Sequence, residues 1–227
     1  MTDASAATDT QRPPGTARYR PEIFNATNPT DAQAIILTPE NGTTTAERWA
    51  RETPFLLDQI GAWIGPTPNA LVLDYGCGIG RLSKGVMERF GCSVLGCDIA
   101  PNMRVMAHQY VGQPRFSACD PALLDTFNRA GLGADCALAA WVLQHCLEPL
   151  TDVRRIKASL KIGGLLFVIN NTHRAVPTDQ GWVNDEIDIR ALLRAEFETV
   201  GEAALPELVS VPDLVRNTFL GLYRKVA

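Results

Sequence analysis

The stretch ALVLDYGCGIGRLSK, residues 70–84, decides the fold. Its first five residues are a short apolar run that ends on an acid, Asp74, which is the pattern of a buried strand. Glycines follow at 76, 78 and 80, and Leu82, Val86 and Phe90 then recur at helical spacing. The segment reads as strand, tight glycine turn, helix. Residues without a Cβ let the backbone approach a nucleotide-like ligand, and a helix start supplies free N–H groups.

Which nucleotide depends on the spacing. In the dinucleotide fingerprint G-x-G-x-x-G the third glycine packs helix against strand beside a pyrophosphate. Counted from Gly78, that place holds Arg81. The glycines instead follow Asp74 as D-x-G-x-G-x-G, and this pattern resembles the first motif of the class I S-adenosylmethionine (SAM) dependent methyltransferases. The resemblance implies S-adenosyl-L-methionine as cofactor, framed by Asp74, Gly76, Cys77, Gly78 and Gly80, with Asp74 ordering its amino group. A strand-end cap of the glycine turn is the plainer role for Asp74.

Strand and helix signals alternate from residue 70, with strands expected at 70–74, 93–98, 115–119, 135–140 and 165–170. Alternation of this kind means parallel strands joined by crossover helices. Two further strand signals, 198–205 and 218–226, close the chain. The resemblance adds the topology: an α/β, doubly wound, seven-stranded Rossmann-like sheet, mostly parallel, with an antiparallel last strand between the fifth and sixth. Residues 1–20 lack periodicity and are expected to be a disordered tail. Residues 21–69 are expected to form an N-terminal helical cap, with Trp49, Leu56, Ile60 and Trp63 near one face and Pro54 kinking or dividing the helix. Residues 70–227 are the SAM-binding core.

In open α/β sheets ligands lie beyond the carboxyl ends of the strands, so strand-end residues matter most. Asp98 ends the second strand, where a carboxylate can accept both ribose hydroxyls. NAD proteins use an acid there too, and an N-cap before Pro101 is the structural alternative. The resemblance puts Ile99 beside the cofactor, gives Asp120 the hydrogen bond from the adenine amino group in addition to its own N-cap option, and lets Ala140 and Trp141 line the cofactor. His145, after the fourth strand, and His173, after the fifth, are the candidate general bases. A packed core histidine and a solvated loop histidine are their plainer readings. Arg48 and Arg51 in the cap are within range of the SAM carboxylate, although surface arginines are common on helices. The segments 172–186, which contains Trp182, and 206–217 are candidate substrate loops.

A net charge of −4 argues against nucleic acid or an anionic membrane as partner. The basic group Arg154, Arg155, Lys157 and Lys161 reads as one solvated helix face. Six cysteines without a C-x-x-C read as buried free thiols of a reduced, cytoplasmic protein, and no metal site is expected. The fourth strand leads into Ala-Ala-Trp, which is unlike the D/N-P-P-Y/F and Pro-Cys loops of DNA methyltransferases. Paired glutamates of arginine methyltransferases and carboxylates of a catechol-type magnesium site are also missing there. The expectation is a metal-independent methyltransferase acting on a small-molecule acceptor, as a monomer or homodimer. An NAD(P)-dependent oxidoreductase and a non-catalytic SAM-binding protein stay open beside it.

Overall fold

The computed structural model describes residues 17–40 and 42–227. The tail expected over residues 1–20 lies outside the described residues up to 16. Beyond them the chain is paired earlier than expected: Tyr19 bridges to Thr178, and the Arg20 amide donates to the Pro177 carbonyl at 2.9 Å.

Five strands run parallel: β1 (Leu71–Tyr75), β2 (Ser93–Cys97), β3 (Phe116–Cys119), β4 (Ala134–Ala140) and β5 (Leu160–Asn171). A hairpin, β6 (Val176–Thr178) and β7 (Gly181–Val183), precedes the last pair, β8 (Glu198–Ala204) and β9 (Thr218–Arg224). The main sheet has the order β3-β2-β1-β4-β5-β9-β8, with β9 antiparallel to both neighbours. The expected topology is present, with the last strand inserted beside β5.

Successive strand residues face opposite sides, so each strand feeds two cores. Leu73, Leu166 and Val168 meet Leu124 of α5 (Pro121–Arg129), Val153 and Ile156 of α6 (Pro149–Ser159) and Leu193 of α7 (Ile189–Glu196). Val72, Leu138 and Phe167 meet Leu56 and Ile60 of α2 (Thr45–Trp63), Val86 of α3 (Arg81–Phe90) and Ala107 of α4 (Pro101–Val111). Burial on both faces is why β1 and β4 read as apolar runs rather than alternating ones.

Pro54 does not divide α2, which continues through it to Trp63. The helix is held from outside itself: Arg48, Glu52, Leu56 and Ile60, spaced by four, are all buried, and that stripe outweighs one lost backbone hydrogen bond. Its start is fixed by a capping box, in which the Glu47 amide donates to Thr44 Oγ1 at 3.2 Å and the Thr44 amide donates to Glu47 Oε2 at 2.7 Å. The short helix α1 (Pro29–Ile36) lies ahead of it.

The basic group is also rearranged. Lys161 belongs to β5, not to a helix, and pairs with Asp135. Arg155 is no solvated residue: it donates to both oxygens of Asp125 at 2.7 and 3.1 Å, to Asp152 at 2.7 Å and to the Tyr75 hydroxyl at 3.0 Å. The segment 172–186 carries the β6–β7 hairpin, and 206–217 ends in α8 (Pro212–Asn217).

Candidate active site

A cleft of about 1030 Å³ opens at the carboxyl ends of β1, β2, β4 and β5, beneath the segment that carries Tyr19, Phe24 and α1. Of the residues singled out in the sequence, Arg48, Gly76, Gly78, Asp98, Ile99, Ala140, Trp141, His145 and Trp182 line it. Asp74, Cys77, Gly80, Asp120 and His173 are not among its lining residues.

The amides of the glycine turn itself are engaged within the fold. The Gly76 and Cys77 amides donate to the Cys97 carbonyl at 2.7 and 3.1 Å, Gly80 donates to the Cys77 carbonyl at 2.8 Å, and Gly78 donates to Asp98 Oδ2 at 2.8 Å. These four donors are spent on the turn itself, on the end of β2 and on Asp98. What the glycines provide is space and dihedral freedom: φ is +74° at Gly76, +54° at Gly78 and +83° at Gly80. A Cβ at Gly76 would meet Val142, and one at Gly78 would lie 2.7 Å from Ile36 Cδ1. A pyrophosphate needs free amides at such a turn, whereas an uncharged nucleoside needs only the close approach.

Asp98 stands one residue past β2. Its Oδ1 accepts the Ala100 amide at 2.9 Å, which joins the turn to the start of α4 while the carboxylate still borders the cleft. Burial raises its pKa, and the Ala100 and Gly78 amides oppose that shift. A carboxylate has about four acceptor sites, so two amides leave room for a ribose diol. Asp74 sits behind the turn, 3 % exposed, accepting the Ser83 hydroxyl at 2.6 Å. Burial pushes its carboxyl up to about 6, against the Ser83 hydrogen bonds. The folded state therefore binds that proton more tightly than the unfolded chain, so the associated stability is full below about pH 4 and is lost as pH rises through about 6. Relative to Asp74→Asn, the wild type should lose up to about 3 kcal/mol of stability between pH 4 and pH 7 in paired urea titrations.

Cys77 points into the sheet, its sulfur 2.8 Å from where a Cβ on Gly96 would stand. Asp120 caps α5 by accepting the Leu123 amide at 2.8 Å. His173 is exposed, because its neighbour Arg174 turns inward to pair with Asp185 at 2.9 Å and to donate to the Leu143 carbonyl at 2.9 Å. In the cap, Arg51 is exposed, and Arg48, which lines the cleft, clasps Glu52 at 2.7 and 3.1 Å and donates to the Thr38 carbonyl at 2.7 Å.

His145 is placed by a polar chain. The Asn171 amide donates to Gln144 Oε1 at 3.4 Å, the Gln144 side-chain amide lies 3.2 Å from His145 Nε2, and His145 Nδ1 lies 2.7 Å from the Ala175 carbonyl. A carbonyl only accepts, so Nδ1 carries the proton and Nε2 is the acceptor nitrogen. Burial lowers the pKa of the ring. Around it stand Phe24 and Trp182, with ring centroids 5.3 and 5.4 Å from the imidazole. The packing of Phe24 onto this wall depends on contacts between distant segments, which no local pattern announces.

Three lining residues were missed as site residues. Arg81, singled out only for occupying the third-glycine place, is 4 % exposed and stacks between Trp49 and Trp141, 5.5 and 5.8 Å from their centroids. Tyr75 and Asp152, bound to each other and to Arg155, border the α6 side of the cleft. A cleft-facing tyrosine in the glycine motif and an acid at a helix start were the available signals.

Residues 73–168 match the model of a methyltransferase domain family. A ubiquinone biosynthesis O-methyltransferase of Xanthomonas campestris pv. campestris is 32 % identical over 126 residues, covering 54 % of this chain and 52 % of that protein. An N-demethylindolmycin N-methyltransferase of Streptomyces griseus is 31 % identical over 107 residues, covering 45 % and 44 %. The chain spans about half the length of the curated relatives it matches. In fold it is similar to Burkholderia thailandensis 1,6-didemethyltoxoflavin-N1-methyltransferase, solved with 1,6-didemethyltoxoflavin and S-adenosylhomocysteine, with a TM-score of 0.59, 24 % identity, and 80 % and 82 % of the two chains covered. The likeness to methyltransferases in sequence thus covers the segment from β1 to β5, which carries the glycine turn and the strand ends at the cleft, and the likeness in fold covers most of the chain.

Proposed function

We propose that this protein transfers the methyl group of SAM to an oxygen, nitrogen or carbon nucleophile of a small molecule, without a metal. One observation carries the reading of the cofactor: the Gly76, Cys77, Gly78 and Gly80 amides are engaged within the fold while Asp98 stays at the cleft. That arrangement suits a nucleoside with a diol and no pyrophosphate. Asp98 would hold the ribose, Gly76 and Gly78 would admit the backbone's close approach, and Ile99, Ala140 and Trp141 would pack along the ligand. Asp74 and Asp120, outside the lining, would act by holding the glycine turn and the start of α5. Residues 21–69 would serve as cap and 70–227 as core.

The cofactor supplies an electrophilic methyl on a sulfonium whose leaving group departs neutral. The protein's task is then to bind the acceptor in line and exclude water, an effect worth about 7–11 kcal/mol when alignment is good. Phe24 and Trp182 offer flat apolar faces, which favours an acceptor with a planar ring. Relatives named as O- and N-methyltransferases leave either atom within range. For a hydroxyl acceptor, His145 Nε2 would release Gln144 and take the proton.

The test is transfer of a labelled methyl from SAM to a panel of phenols, aromatic amines and ring nitrogens. Label should appear in a ring-bearing acceptor; bound SAM with no transfer to any would mean a binding protein instead. With a hydroxyl acceptor, His145→Asn should lower kcat about 10²–10⁴-fold while KM changes little. The asparagine amide can still donate to Ala175. An unchanged kcat removes His145 from the proton path.

A further inference from the structure

The turn that carries His145 is held from outside itself. Leu143–His145 is a single 3-10 turn, opened by the His145 amide on the Val142 carbonyl at 3.0 Å. A piece this short leaves carbonyls without helical partners and cannot fix a side chain alone. Its partners come chiefly from the segment after β5. The Ala175 amide donates to the Gln144 carbonyl at 2.9 Å, Arg174 Nη1 donates to the Leu143 carbonyl at 2.9 Å, and Arg174 Nη2 reaches the Leu147 carbonyl at 3.5 Å. The guanidinium thus spans the chain from two residues before His145 to two residues after it. The Tyr19 hydroxyl adds a contact of 3.4 Å to the His145 carbonyl.

Arg174 is itself fixed. It is 3 % exposed, and Asp185 accepts its Nε and Nη2 at 2.9 Å each, a two-pronged pair that sets the plane of the fork. A lysine could not bind a carboxylate and two carbonyls in this way, because its ammonium is a point charge on a flexible stem. The carbonyl of the next residue, Ala175, lies 2.7 Å from His145 Nδ1. Arg174 and Ala175 therefore grip the backbone and the ring of the same turn. Burial lowers the pKa of that ring, the Ala175 carbonyl opposes the shift, and the Arg174 charge lowers it further.

We propose that Arg174, anchored by Asp185, is the residue that positions His145: its guanidinium staples the carbonyls on both sides of the imidazole, and Ala175 beside it then selects the ring's tautomer. The inference rests on the reading of His145 as proton acceptor for a hydroxyl substrate. In that role Nε2 must be free of a proton when the acceptor arrives. A ring released from the Ala175 carbonyl would carry its proton on Nε2 part of the time and lose that fraction of its use as a base.

The experiment follows the imidazole directly. In the isotope-labelled, ligand-free full chain, NMR shifts of the ring nitrogens report which one holds the proton. The chain has three histidines, and the signals that vanish in His145→Asn are the ones to follow. The wild type should show one fixed tautomer with the proton on Nδ1. Arg174→Met should move both ring nitrogens toward averaged shifts, with Arg174→Lys between. Should Arg174→Met not fold, Asp185→Asn, at a side chain 33 % exposed, weakens the anchor and should shift the tautomer in the same direction. Methyl transfer to a phenol gives the second readout. Arg174→Met should lower kcat about tenfold or more with little change in KM, yet slow a His145→Asn protein by less than about twofold, because the two side chains act as one unit. A ring that keeps its fixed tautomer in every variant overturns the proposal, as does an undiminished loss of kcat in the His145→Asn background. If His145→Asn leaves kcat at the wild-type level, or no phenol takes the methyl group, the base reading fails instead, and the ring spectrum still decides whether Arg174 sets the imidazole.

Discussion

Asp98→Ala should weaken S-adenosylhomocysteine binding at least tenfold, a loss of about 1.4 kcal/mol or more. The carboxylate has two duties that this substitution removes together. It accepts the Gly78 and Ala100 amides at 2.8 and 2.9 Å, pinning the glycine turn to the start of α4, and it borders the cleft where a ribose diol would lie. Loss of a charged acceptor from two amides leaves buried donors unmet, so the ligand-free protein should also lose about 1–3 kcal/mol of stability. Asp98→Asn separates the duties. Its side-chain oxygen can still accept one amide, yet its NH₂ cannot accept a hydroxyl, so stability should recover more than affinity does. Calorimetry that finds unchanged affinity for Asp98→Ala would count against the whole cofactor assignment.

Arg48→Met should cost about 3–5 kcal/mol of folding stability, the usual result of leaving one member of a buried ion pair alone. Arg48 is 3 % exposed and Glu52 is fully buried, and the pair is bidentate at 2.7 and 3.1 Å. The pair also ties distant segments: Arg48 donates to the Thr38 carbonyl, and Ser210 donates to Glu52 at 2.8 Å. The segment around Thr38 and the loop before α8 are thereby fastened to one helix. Replacing both members, Arg48→Met with Glu52→Leu, should recover most of the loss, because no uncompensated charge remains. Urea unfolding of the single variant with a loss below about 1 kcal/mol would show that the pair is not structurally important.

The sheet was legible because its signals are local. The run 70–74, the glycines and the acids at strand ends each depend on neighbouring residues, and the strand positions follow from them with small shifts at the ends. Of the candidate site residues, those at strand ends, Gly76, Gly78, Asp98, Ile99, Ala140, Trp141 and His145, border the cleft, as does Arg48 of the cap. The errors share another cause. Pro54 in α2 was judged by propensity, but a stripe of buried side chains overrides it. Arg155 looked like one charge among a basic face, whereas Asp125, on another helix, turns it inward. The engagement of the Gly76 and Gly78 amides was not legible because their acceptors, Cys97 and Asp98, lie on the next strand and its end. Arg81 was visible as a residue out of place, yet its burial beside Trp49 and Trp141 comes from packing between distant segments, which spacing does not carry.

The central claim is that this cleft takes a SAM-type nucleoside and rejects a dinucleotide. Calorimetric titration of the wild-type protein with S-adenosylhomocysteine and, separately, with NADH tests it most directly. Saturable, stoichiometric binding of S-adenosylhomocysteine with no heat from NADH is the predicted result. Binding of NADH with none of S-adenosylhomocysteine would contradict it.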